Sequence, residues 1–257
     1  MNDKECQFNE IQYLIQEYMD TLSSPFDSFY EEHVIRSTFY SLSLESQEIG
    51  YYAIHNQQLL TQFYIRPAYL KHAQKIFAEV LESRDLKSLF VPTCDELFLS
   101  LAVDMETFTL NKQAYFFQDS LAAISESSSG NIIFDLATAK DLPLIKLVCG
   151  DFLEDQYDGM QGKGELFTYY RESELLGIGV MQKSTLLLGY ASIGMFTNEQ
   201  FRKQGIGRDI IIRLKAWCYN HQLKPICGCW YYNEASKCTL ESAGMVTRTR
   251  LLRFDHI

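Results

Sequence analysis

The pattern of apolar and polar positions predicts the same series of elements twice. In the first half, Glu48-Ile49-Gly50-Tyr51-Tyr52-Ala53 opens a strand, and residues 60–65 form another. A helix follows over 68–82, and Asp85-Leu86-Lys87-Ser88-Leu89 leads into a strand at Phe90-Val91. A helix over 96–102 reaches Val103-Asp104-Met105, and a last strand carries Ala114-Tyr115-Phe116-Phe117. In the second half an apolar run over 186–197 predicts a strand, and residues 210–220 a helix. Gln222-Leu223-Lys224-Pro225-Ile226, which mirrors Asp-Leu-Lys-Ser-Leu, leads into a strand ending near Tyr231-Tyr232. A helix over 234–242 stops at Gly244, a residue suited to a left-handed cap. The final strand runs through Leu251-Leu252-Arg253-Phe254.

Between the halves lies Ser125-Glu126-Ser127-Ser128-Ser129-Gly130, which reads as an exposed connector. The expected organisation is a first lobe over 1–124, a connector over 125–130 and a second lobe over 131–257. The order of elements reads as an α/β fold class in each lobe.

The second half carries a glycine-bearing stretch, Phe201-Arg202-Lys203-Gln204-Gly205-Ile206-Gly207-Arg208, between a strand and a helix. Two glycines at a helix start, flanked by cations, describe an anion cradle. Backbone N–H groups point outward there, the helix dipole favours negative charge, and glycine admits close approach and positive φ. A Walker loop needs Gly-Lys-Ser/Thr, but Arg208 and Asp209 follow Gly207. A dinucleotide fingerprint needs a third glycine where Ile210 stands. The corresponding stretch of the first half, Ile65-Arg66-Pro67-Ala68-Tyr69-Leu70-Lys71, has no glycine, and Pro67 removes an N–H donor.

The 257 residues are 47% hydrophobic and 14% aromatic, enough for a sizeable core. A net charge of −10 argues against general nucleic-acid binding. Against that background Arg202, Lys203, Arg208, Arg213 and Lys215 form a local cationic cluster, suited to a compact polyphosphate or, alternatively, to a solvated helix face. The polar start, Met1-Asn2-Asp3-Lys4-Glu5-Cys6, does not read as a secretory signal, and no apolar run approaches the ~20 residues of a membrane span. Seven cysteines without framework spacing fit a reduced cytoplasm. Cys227 and Cys229 share one strand face and read as two buried thiols; no metal is expected.

The pattern Arg202-x-x-Gly205-x-Gly207 resembles the pyrophosphate-binding motif of the GNAT superfamily of acetyl-CoA-dependent N-acetyltransferases. Further positions are similar in the right order. Residues 132–143 look like the family's first strand and the acidic opening of its first helix. Residues 166–170 and 175–182 look like a strand pair, and 186–197 like the central strand. Asn233-Glu234-Ala235-Ser236 with Ala243-Gly244-Met245 looks like the family's Asn-x-x-Ala/Ser ending in Gly-Phe. The resemblance covers about residues 132–254, whereas the first half is like the second half only. It implies an α/β fold of the α+β mixed-sheet kind: two tandem acyl-CoA N-acyltransferase-like lobes, each a central mixed β-sheet flanked by helices, the first a degenerate copy and the second binding acetyl-CoA. The coenzyme-binding positions it implies are Met195, Thr197, Arg202, Lys203, Gln204, Gly205, Ile206, Gly207, Arg208, Asn233 and Ser236. Asn233 also reads as a helix N-cap, and Asp95 stands near its place in the first half.

The implied reaction is direct transfer of acetyl from acetyl-CoA to a primary amine of a small molecule in a ternary complex. Many family members place a tyrosine acid where this chain has Leu240. Replacements are Tyr231, Tyr232 and Cys238, each of which also reads as a packing or strand-end residue. Gly159-Met160-Gln161-Gly162-Lys163-Gly164 is expected as a mobile loop near the substrate mouth. Glu154, Asp155 and Asp158 beside it would attract a cationic amine, or are solvated. Two alternatives stay open: a catalytically silent acyl-CoA-binding module, and a protein acetyltransferase that docks its partner through the first lobe.

Overall fold

The structure is a computed structural model that describes residues 1–121 and 131–257. The connector expected at 125–130 lies outside the described residues. By contact the chain divides into unit 1, Met1–Phe116 with Thr247–Ile257, and unit 2, Phe117–Val246. The described residues contain no helix long and apolar enough to cross a membrane.

Unit 1 opens with β1 (Asn2–Cys6), α1 (Gln12–Thr21) and α2 (Ser28–Ile35). β2 (Thr38–Leu44), β3 (Gln47–His55) and β4 (Leu59–Ile65) follow as antiparallel neighbours. A 3-10 turn (Pro67–His72) leads into α3 (Ala73–Ser83), then come β5 (Ser88–Pro92), α4 (Glu96–Val103) and β6 (Phe108–Asp119). β4 and β5 pair in parallel. The core gathers Phe63, Phe77, Val80, Leu89, Phe98 and neighbours from β3, β4, β5, α3 and α4.

Unit 2 repeats the series: β7 (Ile132–Leu136), α5 (Leu142–Cys149), a 3-10 segment (Gly150–Gln156), α6 (Tyr157–Gly162), β8 (Leu166–Arg171), β9 (Glu174–Lys183) and β10 (Tyr190–Thr197). A 3-10 turn (Glu199–Phe201), α7 (Ile206–Asn220), β11 (Lys224–Trp230) and α8 (Glu234–Ser242) complete it, and β12 (Met245–His256) starts in unit 2 but belongs to unit 1 from Thr247 onward. Again one pair, β10 with β11, is parallel, while β7, β8, β9 and β10 are antiparallel neighbours. The buried side chains of α7, among them Ile206, Ile210, Leu214 and Cys218, recur at helical spacing. They lie on a glycine stripe in β9: a Cβ at Gly177 would meet the Ile210 side chain at 2.9 Å, and one at Gly179 would meet Leu214 at 3.1 Å.

Two expected boundaries change. The second lobe was expected to keep its own last strand, but Thr247–Ile257 belong to unit 1. There Leu251 to Asp255 pair antiparallel with Pro92 to Ser88, and Thr93 and Arg250 exchange hydrogen bonds at 2.8 Å. The stretch Gly159–Gly164, expected as a loop, lies largely in α6, because Tyr157 and Met160, three residues apart, bury the same helix face.

Candidate coenzyme and acceptor sites

The parallel pairing of β10 with β11 joins Tyr190, Ala191 and Ser192 to Lys224, Pro225 and Ile226. Beyond Ser192, β10 continues along β9 as far as Thr197 opposite Gly177. The two parallel strands therefore part, and α7 begins beside the gap.

Asn198 caps the 3-10 turn by accepting from the Gln200 N–H. Lys203 (φ 63°) and Gly205 (φ 81°) then turn the chain through the left-handed region, which is unstrained for glycine alone. α7 starts at Ile206, four residues earlier than the sequence pattern suggests, so Gly207 sits inside its first turn. The N–H groups of Ile206 and Gly207 thus have no carbonyl one turn back to receive them. A Cβ at Gly205 would meet nothing within 4 Å, so this peptide faces open space. A Cβ at Gly207 would lie 3.1 Å from Thr197 Oγ1 and from Thr239 Cγ2, and 3.2 Å from Met195 Sδ. The fold brings Met195 and Thr197 of β10, Thr239 of α8 and Gly207 of α7 together at the cradle.

The cationic cluster divides. Arg202 and Lys203 stay exposed, Arg202 in an ion pair with Glu199 at 3.1 Å and over the Phe196 ring. Arg208 donates from Nε to Ser242 O, at the end of α8, at 3.0 Å. Arg213 and Lys215 do not join the cradle face. Arg213 pairs with Asp209 at 2.8 Å, and the buried Lys215 pairs with Asp119 at 2.7 Å. Both lie past the first turn of α7, about 10 Å or more along the helix from its start.

Asn233 is the N-cap of α8, its Oδ1 accepting from the Ser236 N–H at 3.0 Å. Leu240 is buried, 2% exposed, within α8. Tyr231 and Tyr232 follow β11 in a turn. Tyr232 is 61% exposed, its ring meeting Trp230 at 5.1 Å and Tyr231 at 5.2 Å edge-on. Cys238 is exposed, Cys227 is buried, and Cys229 is only half-buried rather than the second buried thiol expected. Among the described residues no group of three His, Cys, Asp or Glu side chains could hold a metal ion.

A cavity of about 200 Å³ is lined by Lys146, Gly150, Glu154, Asp155, Tyr157 and Asp158. The Tyr157 hydroxyl donates to Gly150 O at 2.8 Å and fixes the 3-10 segment. Lys146 pairs with Asp158 at 2.5 Å and holds that carboxyl below its usual range. Glu154 and Asp155 leave the lining with a surplus of negative charge. Phe152, in the same segment, packs its ring 5.2 Å from that of Phe196 on β10.

Unit 1 builds the equivalent place differently. β4 and β5 pair in parallel only at Leu59 and Leu60. Beyond them Tyr30, fully buried, donates its hydroxyl to Thr61 O, and Tyr51 donates to Gln62 Oε1 at 3.0 Å. Arg66, which precedes the 3-10 turn, is held by both Glu17 oxygens at 2.8 and 2.9 Å. Asp95 caps α4 as Asn233 caps α8, accepting from the Phe98 N–H at 2.9 Å. It is buried, and that burial pushes its carboxyl up to about 6.

The chain thus combines a mixed sheet with one splayed parallel pair and a glycine-bearing turn at the following helix start. Residues 7–120 match the family model described as an acetyltransferase (GNAT) domain. Residues 7–120 are therefore similar to GNAT domains, and the chain as a whole has the GNAT fold. An acetyltransferase of the GNAT family from Colwellia psychrerythraea is similar with a TM-score of 0.88 and 19% identity, over 100% of both chains. A GCN5-related N-acetyltransferase from Sphaerobacter thermophilus is similar with a TM-score of 0.67 and 9% identity, over 99% of this chain and 95% of the other. A tandem GNAT protein from the clavulanic acid biosynthesis pathway is similar with a TM-score of 0.61 and 12% identity, over 98% and 97%. No curated protein matches. The family match falls on the first half, which resembles only the second half by pattern: unit 1 keeps the element order without a glycine cradle.

Proposed function

We propose that the chain is an acetyl-CoA-dependent N-acetyltransferase in which unit 2 holds the coenzyme and a small amine is the acceptor. The observation that carries this reading is the convergence of Met195, Thr197 and Thr239 on Gly207, beside the open face of Gly205. The cradle fits a diphosphate: N–H groups of Ile206 and Gly207 and the dipole of α7 supply the donors, and Arg202 and Lys203 the charge. Gln204 and Arg208 flank it. Met195, Thr197, Asn233 and Ser236 would hold the pantetheine arm.

Acetyl-CoA supplies an activated thioester; this chain's residues position it against the amine, converting a bimolecular step into an effectively unimolecular one. Tyr232 and Tyr231 are the candidate donors of the proton that the leaving thiolate takes up. The surplus carboxylates of Glu154 and Asp155 favour a cationic acceptor. The cytoplasm, a reducing compartment, suits a chain whose seven cysteines are thiols. No part of the reading requires a metal or nucleic acid.

The test follows thiol release while a panel of small primary amines is offered with acetyl-CoA to the full chain. Turnover of at least one amine, abolished without the amine, is expected. The buried Leu240 favours one second reading, a silent acyl-CoA-binding module. Tight coenzyme binding without turnover of any amine would establish that reading instead. Turnover of peptide amines alone would favour a protein acetyltransferase.

A further inference from the structure

Directly below the cradle, α7 carries a buried acid. Asp209 is 3% exposed, and its N–H closes the turn by donating to Gly205 O at 3.0 Å. The Tyr169 hydroxyl on β8 donates to its Oδ2 at 2.5 Å, and Arg213 donates from Nε to the same oxygen at 2.8 Å. Oδ1 is buried with no hydrogen-bond partner among the described residues. Burial, and then the bond to Asp209, push the Tyr169 hydroxyl above its usual range, so it remains a donor at neutral pH.

A carboxylate in the first turn suits the helix dipole but opposes any anion bound at the same N-terminus. Low local dielectric strengthens that opposition. Arg213, one turn further on and three-quarters buried, brings the compensating charge to the carboxylate. The network therefore has two parts: a pin from β8 to the first turn of α7, and a cation that cancels the charge the pin carries.

We propose that Asp209 and Arg213 are positioning residues for the coenzyme diphosphate. Asp209, tied to Tyr169, fixes the turn whose amides meet the phosphates, and Arg213 neutralises Asp209 so that the cradle remains attractive to an anion. This rests on the coenzyme reading above.

The test is calorimetric titration of the full chain with acetyl-CoA for the wild type, Arg213→Gln, Asp209→Asn and the double variant. Arg213→Gln, which leaves the buried carboxylate uncompensated, is expected to weaken binding by roughly 10-fold or more. Asp209→Asn/Arg213→Gln, which removes both charges and keeps an acceptor for Tyr169, is expected to return within about 3-fold of the wild type. A merely structural role predicts no such rescue. Unchanged affinity in Arg213→Gln, or a double variant no tighter than Arg213→Gln, overturns the proposal while leaving the coenzyme reading intact. Absence of binding in the wild type overturns both. If Arg213→Gln does not fold, Asp209→Asn is compared with the double variant. Equal affinities are then expected, and a gap of about 10-fold overturns the proposal.

Discussion

Lys215 Nζ lies 2.7 Å from Asp119 Oδ1, and both side chains are more than nine-tenths buried. Lys215 also donates to Ala243 O at 2.9 Å, and the Tyr219 hydroxyl donates to Asp119 Oδ2 at 2.5 Å. This ion pair ties the end of β6 to α7 and to the residue after α8. Asp119→Ala strands a buried ammonium and is expected to cost about 3–5 kcal/mol of unit 2 stability. Replacing both partners with Leu and Met is expected to cost far less. Urea unfolding followed by Trp217 fluorescence measures this, since Trp217 lies on α7. A loss below about 1 kcal/mol for Asp119→Ala would contradict an essential role for the pair.

Gly205→Val places a branched side chain at φ 81° and into the open face of the cradle. Acetyl-CoA binding is expected to weaken by about 100-fold, or about 2.7 kcal/mol. Backbone strain of about 1–2 kcal/mol should also lower the melting temperature. Calorimetry on folded protein separates the two effects, and unchanged affinity would remove the basis of the site.

If Asn233, the N-cap of α8, also holds the coenzyme arm, the two roles are separable. Asn233→Ser keeps a cap for the Ser236 N–H and removes the side-chain amide. Its melting temperature should stay close to wild type while acetyl-CoA affinity falls about 10-fold, or ~1.4 kcal/mol. Asn233→Ala should lose affinity and, in addition, ~1 kcal/mol of stability. Wild-type affinity in Asn233→Ser would reduce Asn233 to a helix cap.

Burial is the first cause that raises two carboxyls of unit 1, Asp95 to about 6 and Asp27 to about 7. Both are buried caps, of α4 and α2. An acid raised in the folded state holds its proton more tightly there than in the unfolded chain. Its contribution is therefore complete below about pH 4 and is lost as pH rises through about 6 to 7. Unit 1 should lose on the order of 3 kcal/mol between pH 5 and 8, and Asp95→Asn with Asp27→Asn should flatten that slope. Trp217 and Trp230 both lie in unit 2, so amide hydrogen exchange in β4 and α4 is the appropriate measurement. Greater protection at pH 8 than at pH 5 would reverse the sign and refute the account.

If Glu154 and Asp155 recruit a cationic acceptor, Glu154→Gln with Asp155→Asn should raise KM for the amine about 10-fold, equivalent to ~1.4 kcal/mol. KM for acetyl-CoA should not change. Steady-state kinetics with each substrate varied in turn checks this, and equal effects on both would point to a folding defect.

Much of the candidate site is legible in the sequence because its geometry depends on local chemistry. Glycines at 205 and 207 are required by a turn and by a close approach, and both constraints mark the sequence directly. Asn233 and Asp95 stand where a cap is needed, which is also a local demand. The Tyr169, Asp209 and Arg213 network was missed. Its one sequence signal is an acid and an arginine four residues apart on α7, which is common on solvated helices. Only the packing of α7 on β8 and β9 makes that pair internal.

Helix and strand order, the tandem repeat and the one glycine cradle follow from periodicity and turn chemistry, which operate over a few residues. Where the last strand goes does not. The apolar pattern of β12 suits pairing with any exposed edge, because backbone hydrogen bonds carry no address. Tertiary structure alone assigns Thr247–Ile257 to unit 1 beside β5 and holds Asp119 in unit 2 through Lys215. It likewise turns Arg213 and Lys215 inward, since only the packed helix decides which side of a charge meets water.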